Sequence, residues 1–369
     1  MRIIHVAAGL WEDTGGPSEV IPKLCLAQSR AGASVTLCLI DGNNAESVKE
    51  LMNTEVEVKI FPALESLLRF SPQMFKYLAS QKKIDIIHNH GHWLWPNWIS
   101  LWFSLRLKAC LVTTPHGALG PLTLRVSRLK KFFSWIIFDR KLIEKANVIH
   151  ALSDSEKEGM MKKIGNNINK VIVIPNGVDL PIKSQKIVEN RTKTLLFLSR
   201  VTQIKGVLEL LKAWMLVYKK FPDWELKIVG PIDRSIKNEI KSYSTKCDSI
   251  IIYGPVYNSK RWELYENSSA FILPTFGEGL PTVLLEAAAY SLPIITTLES
   301  NFDDLLSSGG CIITKTKARE IEKSLLRLMN LSSEELIEMG SYSNTIVKNK
   351  YLWSSIASKW LSIYKDHIN

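Results

Sequence analysis

The residues of this chain best placed to do chemistry are two carboxylates, Glu278 and Glu286, eight positions apart in Phe271-Ile-Leu-Pro-Thr-Phe-Gly-Glu-Gly-Leu-Pro-Thr-Val-Leu-Leu-Glu286. Ala270 to Leu273 reads as a buried strand, Pro274, Gly277 and Gly279 as the loop after it, and Pro281 as the start of a helix, where its missing N–H costs nothing. The first backbone N–H groups of that helix, around Thr282, Val283 and Leu284, then have no intrahelical acceptor and form an anion site, with Gly279, Leu280 and Pro281 lining its approach. Glu286 is the only charge between Leu280 and Pro293. An unpartnered carboxylate buried there would cost on the order of several kcal/mol, so a polar partner is expected beside it. The competing reading makes Glu278 a solvated loop residue and Glu286 a cap or salt-bridge member.

Cations and imidazoles stand at other strand ends. Arg200 closes the strand Leu195–Ser199 and Lys205 follows five residues later in Arg-Val-Thr-Gln-Ile-Lys-Gly. Such a pair ahead of a helix suits a diphosphate, or else is two solvated surface cations. His116 follows the strand Cys110–Thr114 in Thr-Pro-His-Gly-Ala. There it is expected to donate a hydrogen bond to a sugar hydroxyl or to developing charge, a satisfied core histidine being the alternative. His88, His90 and His92 alternate after the expected strand Ile84–Ile87, and no Cys or carboxylate partner is expected to stand beside them. Three imidazoles without such a partner argue against a metal site. No Asp-x-Asp pair occurs anywhere, which argues against a divalent-ion clamp on a nucleotide. Trp93, Trp95 and Trp98 read equally as an acceptor pocket or as core.

Short apolar strands alternating with helical patterns must position these residues, and that alternation argues for parallel βαβ layers. Seven strands are expected in the first half: Ile3–Ala7, Val35–Leu39, Val56–Ile60, Ile84–Ile87, Cys110–Thr113, Val148–Ala151 and Val171–Ile174. Six follow in the second: Leu195–Leu198, Leu226–Val229, Ile250–Ile252, Ala270–Leu273, Ile294–Thr296 and Cys311–Ile313. Between the halves the polar stretch Lys183 to Lys193 reads as a linker. The Gly15-Gly16 pair, ahead of a helix starting near Pro17 or Ser18, lets backbone approach a phosphate or substrate. In doubly wound sheets, ligands sit beyond the carboxyl ends of strands.

A chain of 369 residues, 46% apolar and 22% charged, is globular and long enough for two cores. Five scattered cysteines without metal-ligand spacing read as reduced thiols of a cytosolic protein. The N-terminus lacks a signal-peptide pattern, and the longest run free of charged residues and histidine, Trp93 to Leu105, is too short to span a bilayer. The net charge of +11 suits phosphorylated substrates or an anionic membrane surface. No nucleic-acid motif accompanies it. Basic residues thicken between Arg125 and Lys145, among large apolar ones, as in an interfacial helix or a packed helix with a solvated face.

Taken in order along nearly the whole chain, the Gly15-Gly16 loop, Thr114-Pro-His-Gly117, Ile174-Pro-Asn-Gly-Val-Asp179, Ser199-Arg-Val-Thr-Gln-Ile-Lys-Gly206 and Gly277-Glu-Gly-Leu-Pro-Thr-Val-Leu-Leu-Glu286 resemble the retaining GT-B glycosyltransferases of glycosyltransferase family 4. The resemblance implies an α/β protein of two Rossmann-like, doubly wound parallel-sheet domains facing across a cleft. It gives an acceptor-side domain over 1–182, a donor-binding domain over 183–350, and a last segment, 351–369, whose helix crosses back to the first domain. It implies that Glu278 contacts donor-sugar hydroxyls, that Glu286 binds the ribose, and that Arg200 and Lys205 hold the diphosphate. Backbone near Gly279, Leu280, Pro281, Thr282 and Val283 completes the phosphate site, His116 sits over the sugar, and Gly15 and Gly16 line the phosphate and acceptor side. Thr202 and Gln203 stand where many relatives carry other residues, so the resemblance does not carry over the fine donor contacts. The expected partners are a nucleoside-diphosphate sugar, UDP-sugar favoured over GDP-sugar, and a saccharide acceptor on a lipid diphosphate. No cofactor, essential metal or nucleic acid is expected. The expected place is the cytoplasm, at the inner face of the membrane. Two rival readings stand beside this one: a sugar-nucleotide epimerase or hydrolase of the same fold, and a non-catalytic polyanion-binding protein.

Overall fold

The computed structural model describes residues 1–11, 16–40, 45–64, 68–118, 134–164, 170–181, 192–256 and 259–368. It divides into two compact units, Met1–Gly177 with Trp353–Asn369, and Val178–Leu352. The presumed linker from 183 lies outside the described residues as far as 191.

The first unit is built on seven strands, β1 Arg2–Ala7, β2 Ser34–Ile40, β3 Glu57–Phe61, β4 Ile86–His90, β5 Cys110–Thr114, β6 Val148–Ala151 and β7 Val171–Val173. All pair in parallel, in the order β3-β2-β1-β4-β5-β6-β7. Alternate residues face opposite sides, as a pleated strand requires. Ile3, Ala7, Ile86, Cys110, Val112 and Val148 pack against the helices Gly16–Arg30 and Trp353–Asp366. Ile4, Val6, Ile87, Leu111 and Ile149 belong to the core on the other face. Burial on both faces explains why these strands read as apolar runs.

The second unit has six parallel strands, β8 Thr194–Leu198, β9 Glu225–Val229, β10 Ile250–Tyr253, β11 Ala270–Leu273, β12 Ile294–Thr297 and β13 Cys311–Thr314. Their order is β10-β9-β8-β11-β12-β13. Each sheet therefore reverses its winding once, between β1 and β4 in the first and between β8 and β11 in the second. Those reversals open crevices at the strands' carboxyl ends.

One strand differs materially from expectation. β4 runs to His90, so His88 and His90 are strand residues and not part of the loop after it. Polar side chains do not end it, because each finds a partner. Asn89 Nδ2 donates to Thr113 Oγ1 at 3.0 Å on one face, and the histidines bond on the other. At the edge of the first unit, Gly177 lies flat against Trp353, where a Cβ would fall 2.4 Å from the indole ring. Only glycine lets the last helix start there.

Candidate active site

In the second unit the loops after β8 and β11 meet at the winding reversal. Gly206, with φ +73, presses so closely on the next loop that a Cβ would sit 1.9 Å from the Pro274 carbonyl oxygen. The Phe276 N–H donates to the Ile204 carbonyl at 2.8 Å, and the Thr275 hydroxyl donates to the same oxygen at 3.1 Å. This stitching places the Lys205 ammonium on the Glu278 carboxylate as an ion pair whose side chains are only 11% and 15% exposed. The Glu278 N–H in turn donates to the Glu299 carbonyl at 3.0 Å, and Asn301 Nδ2 donates to the Glu278 carbonyl. Arg200 stands exposed at the end of β8.

The helix Thr282–Ala289 follows with Pro281 as its N-cap and no side-chain cap. The Leu284 N–H turns back to the Pro281 carbonyl at 3.1 Å. Thr282 and Val283, both half-exposed, are left at the helix's positive end, where an anion is favoured. One turn further, Glu286 is buried, and the polar partners its sequence context demanded are protein side chains. The Tyr265 hydroxyl donates to Oε2 at 2.8 Å, and Arg261 Nη2 lies 3.4 Å from Oε1. Burial and the neighbouring carboxylate hold the Tyr265 phenol well above its usual range, so it remains a donor. Sequence reasoning missed both partners, which lie on the helix Ser259–Asn267, more than twenty residues from Glu286.

In the first unit, His116 follows β5 with φ +50, and Gly117 with φ +75. A left-handed backbone is costly for a side chain with a Cβ and tends to mark functional positions. The ring lines a pocket with His90, Thr114, His150, Asn176 and Trp360. It is also the end of a buried hydrogen-bonded chain. His116 Nε2 lies 3.0 Å from His90 Nδ1, and His90 Nε2 lies 2.8 Å from His5 Nδ1. His5 Nε2 reaches Gln28 Oε1 at 2.8 Å, and Gln28 Nε2 donates to the Tyr364 hydroxyl at 3.2 Å. That hydroxyl meets His88 Nδ1 at 2.6 Å, and His88 Nε2 meets Thr114 Oγ1 at 2.7 Å. Thr114 Oγ1 reaches His150 Nδ1 at 3.0 Å, and His150 Nε2 ends the chain on the Ile174 carbonyl at 2.7 Å. Burial pushes His5 and His150 down to about 4. It pushes His116 down to about 3, helped by the His150 and His92 rings. Burial holds His88 and His90 well below the usual range, helped at His88 by the His5, His150 and His116 rings and at His90 by His88 and His5. All five rings are therefore neutral.

The ring nitrogens of His5, His88 and His90 come within 4.8 Å of one another. Every one of them is engaged in the chain above, so the trio forms a hydrogen-bonded network. His92 faces elsewhere. Its Nδ1 donates to Asp139 Oδ1 at 3.1 Å, which also accepts from the Trp93 N–H at 3.1 Å. The expectation that no carboxylate accompanies these histidines is thus corrected for His92, since the fold supplies Asp139 from 47 residues away. Trp98 stacks on Phe138 at 4.0 Å, and Trp93 and Trp95 pack against the core. Gly16 is the exposed first residue of its helix, and Gly15 lies outside the described residues.

Comparison with known proteins bears on what this geometry serves. A family model described as "Glycosyl transferases group 1" matches residues 181–345, and one described as "Glycosyltransferase Family 4" matches residues 14–181. The chain belongs to the group 1, family 4 glycosyltransferases. An uncharacterized glycosyltransferase of Haemophilus influenzae is 31% identical over 58% of this chain, and the match spans 60% of that relative's length. An Escherichia coli enzyme, UDP-Gal:alpha-D-GlcNAc-diphosphoundecaprenol alpha-1,3-galactosyltransferase, is 28% identical over 69% of this chain and 66% of its own. Among solved structures, Anabaena HepE in complex with UDP and glucose superposes with a TM-score of 0.76 at 16% identity, covering 99% of this chain and 100% of the other. That likeness shows the fold, which is of the GT-B class.

Proposed function

We propose that this protein is a retaining, metal-independent hexosyltransferase that moves a sugar from a nucleoside diphosphate, UDP in preference to GDP, to a lipid-linked saccharide of a surface polysaccharide. The observation that carries the reading is the placement, at one winding reversal, of an uncapped helix N-terminus that leads into the buried Glu286 and follows the loop where Glu278 pairs with Lys205. In this reading the N–H groups of Thr282 and Val283 hold phosphate oxygens, Arg200 and Lys205 neutralise the leaving diphosphate, and Glu286 takes the ribose hydroxyls. Glu278 orients the sugar, and its pairing with Lys205 keeps both charges compensated until a donor arrives. His116 meets a sugar hydroxyl in its own unit's pocket. Catalysis then rests on positioning and on stabilising the departing phosphate. UDP, and an acceptor on a diphosphate lipid, appear in the names of the solved HepE complex and the Escherichia coli relative, which supports both choices.

Titration calorimetry with UDP, GDP, ADP and CMP in chelator tests the donor site. UDP is expected to bind the wild type, with Glu286→Ala weakening it by about a hundredfold, a loss of ~3 kcal/mol. Absence of binding by every nucleotide sinks the reading, and rapid breakdown of the nucleotide sugar without acceptor would replace it by an epimerase or hydrolase.

The first unit also offers a membrane face. Trp102 and Leu105 on the helix Trp95–Leu107 are exposed, as are Ile136, Ile137 and Phe138 beside it. Exposed Arg106, Lys108, Arg140 and Lys141 frame them, while the basic residues 125–133 lie outside the described residues. No described helix is long and apolar enough to cross a membrane. Apolar side chains framed by cations suit an anionic interface. The protein is expected to sediment with phosphatidylglycerol vesicles at low salt and to be released above ~0.5 M salt, where the Debye length falls to a few Å. Equal binding to neutral vesicles would contradict this.

A further inference from the structure

We propose that the buried histidine chain fixes the tautomer of His116, so that the ring meets a sugar hydroxyl through an Nδ1 lone pair, with Tyr364 and Gln28 as the positioning residues that set it. The inference rests on the reading of His116 as a sugar contact and reverses the donor role expected from sequence.

The protons can be placed one after another from a single fixed point. The Ile174 carbonyl can only accept, so His150 carries its proton on Nε2, and its Nδ1 must accept. The Thr114 hydroxyl spends its one proton there, so its oxygen accepts from His88 Nε2–H. His88 Nδ1 is then an acceptor and takes the Tyr364 O–H. The Tyr364 oxygen accepts from the Gln28 amide, which turns Gln28 Oε1 toward His5 Nε2–H. His5 Nδ1 accepts from His90 Nε2–H, and His90 Nδ1 accepts from His116 Nε2–H. What remains is the bare Nδ1 of His116, which has no hydrogen-bond partner among the described residues.

The Gln28 amide is the point at which this order could fail. Turning it over would reverse every proton from His5 to His116 and make His116 Nδ1 a donor. The Tyr364 hydroxyl blocks that. Its single proton would then be wanted by both Gln28 Oε1 and His88 Nδ1, leaving one buried acceptor unpaired. A residue of the last helix thus decides what a strand-end ring presents. The ligand this selects is a hydroxyl that can give its proton. A sugar with fluorine at that carbon, which can only accept, would meet a lone pair with a lone pair.

Long-range proton–nitrogen correlation spectra of the 15N-histidine-labelled wild type read the tautomers directly. We expect His5, His88, His90, His116 and His150 all as neutral Nε2–H rings, with His116 Nδ1 of pyridine type. A His116 ring protonated on Nδ1 overturns the inference. In Tyr364→Phe the constraint on Gln28 is gone, and His5, His90 and His116 should show both tautomers. A single unchanged Nε2–H state there would overturn the role given to Tyr364. Next, UDP-glucose, UDP-galactose and GDP-mannose are screened by calorimetry, and the one that binds is added at saturation. The His116 Nδ1 resonance should move upfield, as expected of an accepted hydrogen bond, and should move less with the monofluoro analogue of one sugar position. Binding without any response at His116 overturns the inference and leaves the proposed function standing. No binding by any of the three overturns the donor-site reading and the hydroxyl contact together, while the spectrum of the free protein still decides the tautomer.

Discussion

Glu286 shows how a residue's chemistry is fixed by what the fold brings to it. It sits 6% exposed with a phenol and a guanidinium on its two oxygens, so its carboxylate is held in one orientation before any ligand arrives. Tyr265→Phe should therefore leave a folded protein in which the carboxylate has lost one partner. UDP affinity is expected to fall about tenfold by calorimetry, between wild type and Glu286→Ala, since a hydrogen bond to a charged group contributes roughly 1.5–3 kcal/mol. Unchanged affinity would mean that Glu286 is held by Arg261 alone. The two carboxylates and the strand-end cations were legible in the sequence because they lie within a few residues of proline and glycine signals that fix local geometry. Tyr265, Arg261, Gln28, His5, His150 and Tyr364 were not, because their roles come from contacts across up to 336 residues. One faint signal did exist. His5, His88, His90 and His150 share strand parity with core residues such as Ile3, Ile86 and Val148, so they had to be buried on one face, where polar rings need one another.

At the scale of elements, all thirteen strands among the described residues were legible, since parallel strands buried on both faces are continuous β-branched and leucine-rich runs. Their ends were less so. β4 reads as ending before its histidines only because a polar side chain in a strand looks like a boundary until its partners are known. The loop after β8 depends on a backbone approach with no side-chain signature other than glycine. Gly206→Ala would place a methyl against the Pro274 carbonyl at 1.9 Å and require a left-handed alanine. A loss of at least ~2 kcal/mol in urea unfolding is expected, with UDP binding weakened as Lys205 shifts. Gly254→Ala, where no heavy atom lies within 4 Å of the added carbon, should be nearly neutral in both measurements. Equal effects at the two positions would show that the close approach is not what holds the site.

At the scale of the whole molecule, the seven histidines all fall in the first unit and none in Val178–Leu352. His5 and His150, neutral down to about 4 when folded, take up protons on unfolding once the pH drops below about 6.5. The unfolded chain then binds more protons, so stability falls as pH falls through that window. Each group contributes ~1.4 kcal/mol per pH unit, or ~3 for the pair. Calorimetric melting at pH 8 and pH 5 should show one transition sliding down much further than the other; two transitions moving together would contradict the assignment. The last helix, which covers the histidine face with Ile356, Trp360 and Tyr364, carries a consequence for synthesis. The second unit is one continuous stretch of chain and can fold while the ribosome is still at work. The first is emitted almost entirely before it, yet lacks its covering helix until Trp353–Asp366 has left the exit tunnel. The domain translated first is therefore the domain completed last, and a message cut short after Leu352 yields a finished second unit tethered to a sheet with an open apolar face.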